Sequence, residues 1–569
     1  MLQLLLIIPI IGSILTMLVP ETTIENKIRI KNIALTTSMI NFFISIVLLV
    51  LFDSSTSDFQ FVTEFAKLSF CHFNIGLDSI SIFFVLVTTF LTPIALLSSY
   101  GSINNNVKVF FVSLLLLETL QIAIFVVLDL FLFYIFFESI LPLFFVLIIV
   151  FGSGETRIRA AFYLFLYTLA GSLPMLLSIL EIYTNLGSTD FTLISLTEIS
   201  LYSQKILWIG FFIAFAVKTP LFPFHIWLPL AHTEAPLACS ILLAGTVLKL
   251  STYGILRVLI NFLPDATNYF GPLVQTLAII SLIYASLATI VQQDIKELIA
   301  YSSICHMAVL TLGLFSNTLI GIEGAILLAI GHSFVSPALF ICVGGILYDR
   351  YHTRNISYYR GMVTYMPVFT ILFFVFTLAN TGVPLTLNFL GEQLSLIGMF
   401  ERSPIVAILG ATGIVFSACY SIFLYNRISY GIFSPYLMPT RDITRREFSL
   451  LITLLILTVL FGIFPNVILD TLHFCVLSLL YVLPSTPFTA VDAASTAGEV
   501  AVTCSAQLLL VLAHCSVNQN VGVRLASGMA TPKKKLPSLW RSQVRHSAML
   551  SSSIDPEESK SGDTLTLLQ

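Results

Sequence analysis

Six ionisable residues stand inside apolar runs that are long enough to lie in a membrane. They are Glu138, Lys218, Lys249, His306, His332 and Glu392. A charge at the centre of a bilayer costs about 2.5–3.5 kcal/mol on insertion scales, and such charges usually line an ion or proton path. A buried lysine exchanges a proton readily, a histidine relays one near neutral pH, and a carboxylate accepts or releases one. These residue types therefore predict a proton relay.

Glu138 and Lys218 have opposite charges, and we expect them to form a buried pair in which both stay ionised. Breaking the pair would drive the proton off Lys218, because an isolated charge is costly in an apolar medium. For the charged residues of the six, a purely structural ion pair is the alternative. For the two histidines, the alternative is a satisfied interhelical hydrogen bond.

Other polar residues near the apolar runs are further candidates or have ordinary explanations. Glu118 lies in the fourth run. His225 is a secondary relay candidate, although it and His232 flank the end of the seventh run, where an interfacial position would explain both. Lys296 fits a basic loop end, and Arg257 fits a side chain that extends to the membrane surface.

The composition of the chain indicates that lipid is its solvent. Of its 569 residues 57% are hydrophobic and only 10% are charged, whereas soluble domains average about 25% charged residues. A soluble fold of this length could not hide so much apolar surface. The net charge of −3 gives no reason to expect nucleic-acid binding.

The cysteines argue against a metal or redox centre in this chain. No two have the close spacing of a zinc or iron–sulfur site, and small apolar fillers are the expected role. The eight are Cys71, Cys239, Cys305, Cys342, Cys419, Cys475, Cys504 and Cys515. No dinucleotide fingerprint is present either, so we expect no NADH site.

Apolar windows of the length that a spanning helix needs follow one another along most of the chain. They predict about fourteen transmembrane helices, an all-α polytopic membrane fold. The windows are 2–19, 31–52, 77–99, 107–127, 129–150, 160–183, 206–224, 237–261, 271–291, 297–316, 320–348, 366–400, 405–426 and 447–470. Pro220 and Pro223 interrupt the seventh window, and Gly382 and Pro384 interrupt the twelfth.

Basic residues recur in alternate loops, which predicts that these loops face the matrix or its equivalent. Both termini would then lie on the opposite, intermembrane-space side. The basic residues of these loops are Lys27, Arg29, Lys31, Lys108, Arg157, Arg159, Lys296, Arg350, Arg354, Arg360, Arg427, Arg441, Arg445 and Arg446.

Short echoes between the two interrupted windows suggest an internal repeat. Lys218–Leu221 resembles Thr381–Leu385, and each repeat would hold five helices, an odd number that inverts the second relative to the first. The expected division is 1–106 (helices 1–3), 107–262 (first repeat), 263–430 (second, inverted repeat) and 431–481 (helix 14 and a short end). The polar segment 482–569 is expected to be a disordered tail.

Two long motifs resemble signatures of the antiporter-like membrane subunits of respiratory complex I. They are Val217–Pro236 and Gln293–Met307, and Gly76–Phe84, Phe136–Glu138, Tyr167–Pro174 and Asn388–Glu392 also match members of that family. The resemblance covers residues 1–480, and the phenylalanine-rich sequence resembles fungal mitochondrial members.

The resemblance implies a fourteen-helix bundle with two inverted five-helix repeats and broken helices 7 and 12. It also implies that protons cross the inner mitochondrial membrane through this subunit while NADH reduces ubiquinone. Glu138 and Lys218 would form a modulating ion pair, and Lys249, His306 and His332 would belong to a central hydrated axis. Glu392 would lie at the proton exit or be a terminal relay group, with His225 as a second relay group.

The resemblance assigns no cofactor to this chain. NAD, FMN, iron–sulfur clusters and ubiquinone would bind to other subunits. The expected partners are the other membrane subunits, especially chains 2 and 5 of the complex, and membrane lipid, with cardiolipin as a candidate. Two departures are Leu230, where many relatives have lysine, and the tail after Tyr481.

Three other functions compete with the proton-pumping subunit. A cation/proton antiporter subunit of the Mrp type shares both signatures, and co-purification with NADH:quinone oxidoreductase activity would separate the two. A solute permease would instead need a polar binding cluster at one broken helix. A structural scaffold would tolerate Lys218→Met.

Overall fold

Most of the residues that the structure describes are helical, as expected where backbone hydrogen bonds must be satisfied without water. In this computed structural model the described residues are 1–64, 73–197, 199–432 and 434–480, and their helices pack into one compact unit. The expected tail at 482–569 lies outside the described residues, as do Cys71, Cys504 and Cys515.

The part of the chain up to the first break contains eight helices and a small hairpin. In order these are α1 (Leu2–Leu18), α2 (Ile24–Leu51), β1 (Gln60–Glu64), β2 (Asn74–Leu77), α3 (Ser79–Ser98), α4 (Val107–Val126), α5 (Leu130–Phe151), α6 (Arg157–Leu186), α7 (Phe191–Leu196) and α8 (Leu201–Lys218). The two strands pair antiparallel. The sequence analysis predicted neither this hairpin nor the short α7.

Among the described residues, ten helices follow the first break. They are α9 (Trp227–Glu234), α10 (Leu237–Ile260), α11 (Pro264–Val291), α12 (Ile295–Leu314), α13 (Leu319–Tyr351), α14 (Pro367–Asn380), α15 (Leu387–Arg402), α16 (Pro404–Ser429), α17 (Arg445–Ile463) and α18 (Asn466–Leu480). Two 3₁₀ turns, Ile356–Tyr358 and Met362–Thr364, lie between α13 and α14.

The described helices do not match the predicted fourteen spanning helices one for one. Of the described helices, twelve are long and apolar enough to cross a membrane, and α1, α14 and α18 are shorter apolar helices. The predicted window 447–470 is wrong as one helix. Pro465 separates α17 from α18, because proline cannot donate the backbone hydrogen bond that would continue α17.

Two helices are broken where the sequence predicted. The first break follows Lys218, the last residue of α8, and the chain becomes helical again at Trp227. The second lies between Asn380 and Leu387. Gly382 has φ +70° there, and a Cβ at that position would lie 2.8 Å from Glu392 Oε2. Glycine is therefore required at this turn both for its backbone angle and for the space it leaves.

Contacts at the basic ends of the helices bring several of them together. Lys27 Nζ donates to Asn104 O at 2.7 Å, Lys31 Nζ donates to Tyr100 O at 2.7 Å, and Lys108 Nζ donates to Met17 O at 2.9 Å. Lys27 and Lys31, which the sequence placed in a loop, belong to the start of α2, and Lys108 belongs to the start of α4. These basic residues lie at the same end of α1 to α4, as the alternation of basic segments predicts.

The helices α10 and α13 form the centre of the bundle, because every residue of their most apolar windows is buried. Both contain π-helical turns, at Leu243–Val247 and Ile255–Ile260 in α10 and at Ile341–Leu347 in α13. Such turns are rare and often mark functional sites. Lys249, Arg257 and His332 of these two helices therefore face protein rather than lipid.

Candidate functional site

Four of the predicted site residues form a continuous buried row across four helices. Lys249 Nζ lies 2.9 Å from His332 Nδ1, the rings of His332 and His306 have centroids 5.6 Å apart, and His306 Nδ1 lies 2.8 Å from Glu392 Oε1. No residue in the row is more than 4% exposed. We call Lys249, His332, His306 and Glu392 the buried row.

The irregular helices place these side chains opposite one another. Lys249 lies on the short α-helical stretch between the two π-helical turns of α10, and its Nζ also donates to Ala244 O at 2.6 Å. Glu392 lies in the second turn of α15, directly after the second break. The breaks and π-helical turns leave some backbone groups without a helical partner. They also rotate side chains toward the core, whereas a regular helix would direct those side chains elsewhere.

Glycines let α13 and α15 approach closely enough for His332 and Glu392 to lie in one layer. A Cβ on Gly391 would lie 2.5 Å from the backbone nitrogen of Leu328, and a Cβ on Gly331 would lie 2.5 Å from Asn388 Oδ1. Small residues at such contacts are the usual way for membrane helices to pack tightly.

Asn380 holds the His306 ring in place. Its Oδ1 lies 3.1 Å from His306 Nε2, and its Nδ2 lies 3.3 Å from Ser421 Oγ. Because a serine hydroxyl can donate or accept, the amide can turn over and then donate to Nε2 instead of accepting from it. Both tautomers of the ring therefore have a partner, and in each of them one hydrogen lies between His306 Nδ1 and Glu392 Oε1.

Lys218 lies close to Glu138 but does not contact its carboxylate. Lys218 Nζ donates to Phe137 O at 2.9 Å and lies 3.1 Å from the centroid of the Phe137 ring. Among the described residues, no ion pair within 4.0 Å joins Lys218 to Glu138, in contrast to the direct pair that we expected. The Phe137 carbonyl oxygen and the face of the Phe137 ring hold the Lys218 ammonium instead, because both carry partial negative charge.

A small cavity of about 10 Å³ lies between Lys218 and α10. Its lining includes Thr168, Trp227, Leu243 and Val247 besides Lys218. This volume is about that of one water probe.

His232 is a functional candidate, and the interfacial position that would have explained it is wrong. The residue is completely buried, and its ring stacks on Phe340 at 4.7 Å. Neither ring nitrogen has a hydrogen-bond partner among the described residues, and Lys249 and Lys296 are within electrostatic reach. The signal was present in the sequence, because His232 stands in the same long motif as Lys218.

His225, the secondary candidate, lies among aromatic rings rather than in the buried row. Its ring centroid is 5.7 Å from that of Phe222, 5.4 Å from Tyr284 and 6.4 Å from Tyr301. No contact between His225 and the buried row occurs within the described ranges. Any relay through His225 would need intervening water.

The ordinary explanations for Arg257 and Lys296 are wrong. Arg257 does not extend to the membrane surface: its Nη2 lies 2.5 Å from Asp78 Oδ2, and both side chains are buried. Lys296 is not part of a solvated loop end. It lies in the first turn of α12, is 4% exposed, and its Nζ donates to Ala235 O at 2.8 Å.

The fold is that of the antiporter-like membrane subunits, as comparison with known families shows. Residues 127–417 match the family described as NADH:quinone oxidoreductase/Mrp antiporter, transmembrane. A chain of the structure titled respiratory complex I from Thermus thermophilus with bound NADH is 27% identical, with a TM-score of 0.76, over 85% of this chain and 100% of that one. A chain of the Mrp complex from Dietzia sp., 15% identical with a TM-score of 0.75 over 84% of this chain and 97% of that one, shares the fold.

Curated relatives narrow this class further. A protein from Mycosarcoma maydis named NADH-ubiquinone oxidoreductase chain 4 is 60% identical over 84% of this chain and 99% of its own length. The protein of the same name from Marchantia polymorpha is 45% identical over 82% of this chain and 94% of its own length. The chain belongs to the family of NADH-ubiquinone oxidoreductase chain 4, the antiporter-like subunits of the complex I membrane arm.

Proposed function

We propose that this subunit moves protons across the inner mitochondrial membrane through the buried row while complex I transfers electrons from NADH to ubiquinone. The observation that carries the proposal is the unbroken series of contacts from Lys249 through His332 and His306 to Glu392. Burying four ionisable side chains in an apolar core destabilises the fold, so a subunit with a purely structural role would not be expected to keep them.

Each contact in the row permits one proton transfer. Lys249, when protonated, donates to the bare Nδ1 of His332, whose Nε2 then carries the hydrogen. His332 Nε2 has no protein partner in the described part of the chain, so it is free to donate to water between the two histidine rings. His306 takes up that proton at Nε2, where it faces Asn380, and releases the proton on its Nδ1 to Glu392 across the 2.8 Å contact. No atom other than the proton changes place.

Lys218 and Glu138 would control entry into this row. With Lys218 held at Phe137 O, its charge is not neutralised by a direct carboxylate contact. Movement of Nζ toward Glu138 would draw positive charge away from Lys249, and movement back would repel a proton from Lys249 along the row. Direct contact and carbonyl contact are thus the two states of a switch.

The proposal also covers the cofactors, the neighbouring subunits, the lipid contacts and the orientation of the chain. Electron transfer and the binding of NAD, FMN, iron–sulfur clusters and ubiquinone take place in other subunits. Chains 2 and 5 are the neighbours of this subunit, and anionic lipid such as cardiolipin contacts its basic end. Both termini lie on the intermembrane-space side. Basic helix ends meeting at the opposite end of the bundle support that orientation.

Replacing Lys218 by methionine tests the proposal. We expect the ratio of protons released to NADH oxidised to fall by about half or more, because the entry switch loses its charge. The measurement is proton release by membrane vesicles, normalised to NADH oxidised and to assembled complex. Activity lost in fully assembled complex would also support the proposal.

The matched control is Lys205→Met in the same helix. Lys205 Nζ lies 3.5 Å from the Tyr269 ring centroid, outside the buried row, and the control should pump as the parent does. An unchanged ratio at unchanged turnover in Lys218→Met would show that the buried charges are structural and that pumping resides in neighbouring subunits.

A further inference from the structure

A buried carboxyl group lies outside the buried row, in the bundle of α2, α3 and α4. Glu118 of α4 is completely buried, and its Oε1 accepts a hydrogen bond from Asn41 Nδ2 at 2.7 Å. Within the described ranges Oε2 has no hydrogen-bond partner, and no cation lies within 4.0 Å of the carboxyl. The Thr92 hydroxyl is the other polar group beside it. Such a group is expensive to bury and needs an explanation.

Gln121 is a second unsatisfied polar side chain in the same helix. It is completely buried, and neither its Nε2 nor its Oε1 has a protein partner in the described structure. Gln121 precedes Phe125 by one helical turn and so shares its face. The Phe125 ring contacts Phe84 of α3 at 5.4 Å and Tyr253 of α10 at 5.2 Å. Gln121 therefore lies on the face of α4 that packs against α3 and α10.

Gln121 lies at about the same depth in the bundle as Lys249, one helical turn from the layer formed by the Phe84, Phe125 and Tyr253 rings. Tyr253 OH donates to Phe125 O at 3.2 Å, which sets the relative height of α10 and α4. Successive spanning helices run in opposite directions, so α4 and α10 run parallel to each other. One helical turn before Phe125 on α4 is Gln121, and one turn before Tyr253 on α10 is Lys249. The antiparallel α3 contributes Thr88 at that level, one turn from Phe84.

The unsatisfied polar groups in this region could be satisfied by hydrogen bonds to a buried water. A buried water needs two to four polar partners, and Gln121 offers one donor group and one acceptor. Thr252 of α10 is completely buried, and its hydroxyl has no partner in the part of the chain that is described. The Glu118 carboxyl, whose polar neighbours are Asn41 and Thr92, lies one turn from Gln121 and offers a further acceptor. On the other side, the Phe84, Phe125 and Tyr253 rings close this region.

From these contacts we infer that Glu118 is a second proton-binding site, joined to Lys249 by water bound at Gln121. The site is a side branch of the buried row and rests on the proposed function. A proton that leaves the Lys249 ammonium passes through water to the Glu118 carboxylate, giving a neutral amine and a neutral acid. The return step restores both charges, and no other reactant takes part. The branch holds one proton near Lys249 without sending it along the row.

The test uses Glu118→Gln, Gln121→Leu and the double variant in the assembled complex. In Glu118→Gln the side-chain amide oxygen would still accept the hydrogen bond from Asn41, but the amide could not bind a proton. We expect each single variant to lower NADH:ubiquinone turnover about fivefold. We expect the double variant to lose no more than either single one, because both changes cut the same branch. A map of the parent complex that resolves water should show water at the Gln121 amide.

Ser45→Ala is the matched control, since Ser45 is a buried hydroxyl of the same three-helix bundle, 2.7 Å from Thr89 Oγ1. It should keep parental turnover. Parental turnover in Glu118→Gln, additive losses in the double variant, or a dry Gln121 amide would each overturn the branch. If Glu118→Gln fails to assemble, Gln121→Leu alone decides, and parental turnover in it overturns the branch.

The Lys218→Met experiment separates the two proposals. If the proton-to-NADH ratio falls in Lys218→Met while Glu118→Gln behaves as the parent, only the branch is wrong. If neither variant changes pumping or turnover, the buried row itself is not the proton path and the branch fails with it.

Discussion

Replacing Lys249 by methionine should lower the NADH:ubiquinone turnover of fully assembled complex by a factor of about 100, the lower range for loss of a general acid–base group. Lys249 Nζ is 2.9 Å from His332 Nδ1 and is the start of the unbroken part of the row. Methionine fills a similar volume in the core but holds no proton. The turnover is measured in membranes and normalised to assembled complex.

Lys249→Arg separates proton transfer from the need for a charge. Arginine keeps the positive charge and a donor for His332, but it does not release its proton in proteins. If Lys249 transfers a proton, both variants should be impaired to a similar extent. Parental turnover in Lys249→Arg would show that only the charge is required. Lys205→Arg, outside the row on α8, controls for the bulk of the guanidinium.

Breaking the buried pair of Arg257 and Asp78 should have the largest effect on stability. The pair joins the start of α3 to the second π-helical turn of α10 at 2.5 Å, and Cys475 of α18 contacts the same carboxylate, with its Sγ 3.4 Å from Asp78 Oδ2. Asp78→Asn should destabilise the subunit by about 3–5 kcal/mol, because it leaves a buried guanidinium without a counter-charge. Asparagine still caps α3, where Ser81 N donates to the side chain of residue 78.

Electrostatics at Asp78 agree with a charged pair. Burial alone would raise the pKa of Asp78, but the Arg257 guanidinium and the hydrogen bonds from Ser81 outweigh it and hold the pKa of this carboxyl below its usual value. Asp78 is therefore ionised at neutral pH, and Arg257 has its counter-ion.

The double variant Asp78→Asn, Arg257→Met is the control for this prediction. It removes both charges and should recover most of the lost stability, since neutral replacements of buried pairs are often well tolerated. The measurement is the temperature at which the isolated complex loses half of its assembled form. A single variant as stable as the parent, or a double variant as unstable as the single one, would contradict the account.

The sequence was sufficient to predict the features that depend on local chemistry. Whether a segment spans the bilayer depends on the transfer free energy of its own residues, so the apolar windows predicted most helices. Pro220, Pro223 and Gly382 predicted the two breaks, because their backbone restrictions act within one turn. The six candidate residues stood out since a charge in an apolar run is costly wherever its partner lies.

Partners across the bundle were decided only by the tertiary structure. His332 and Glu392 are far along the chain from Lys249 and His306, and the pairs form because irregular turns in α10 and the break before α15 rotate their side chains toward one another. Nothing in the local sequence fixes these rotations, which result from how the helices pack. The same holds for Lys218, which contacts Phe137 O instead of Glu138, and for Arg257, which finds Asp78 in the core. Transfer free energies, which are local, determine where helices form, whereas the packing of distant surfaces determines which charges meet.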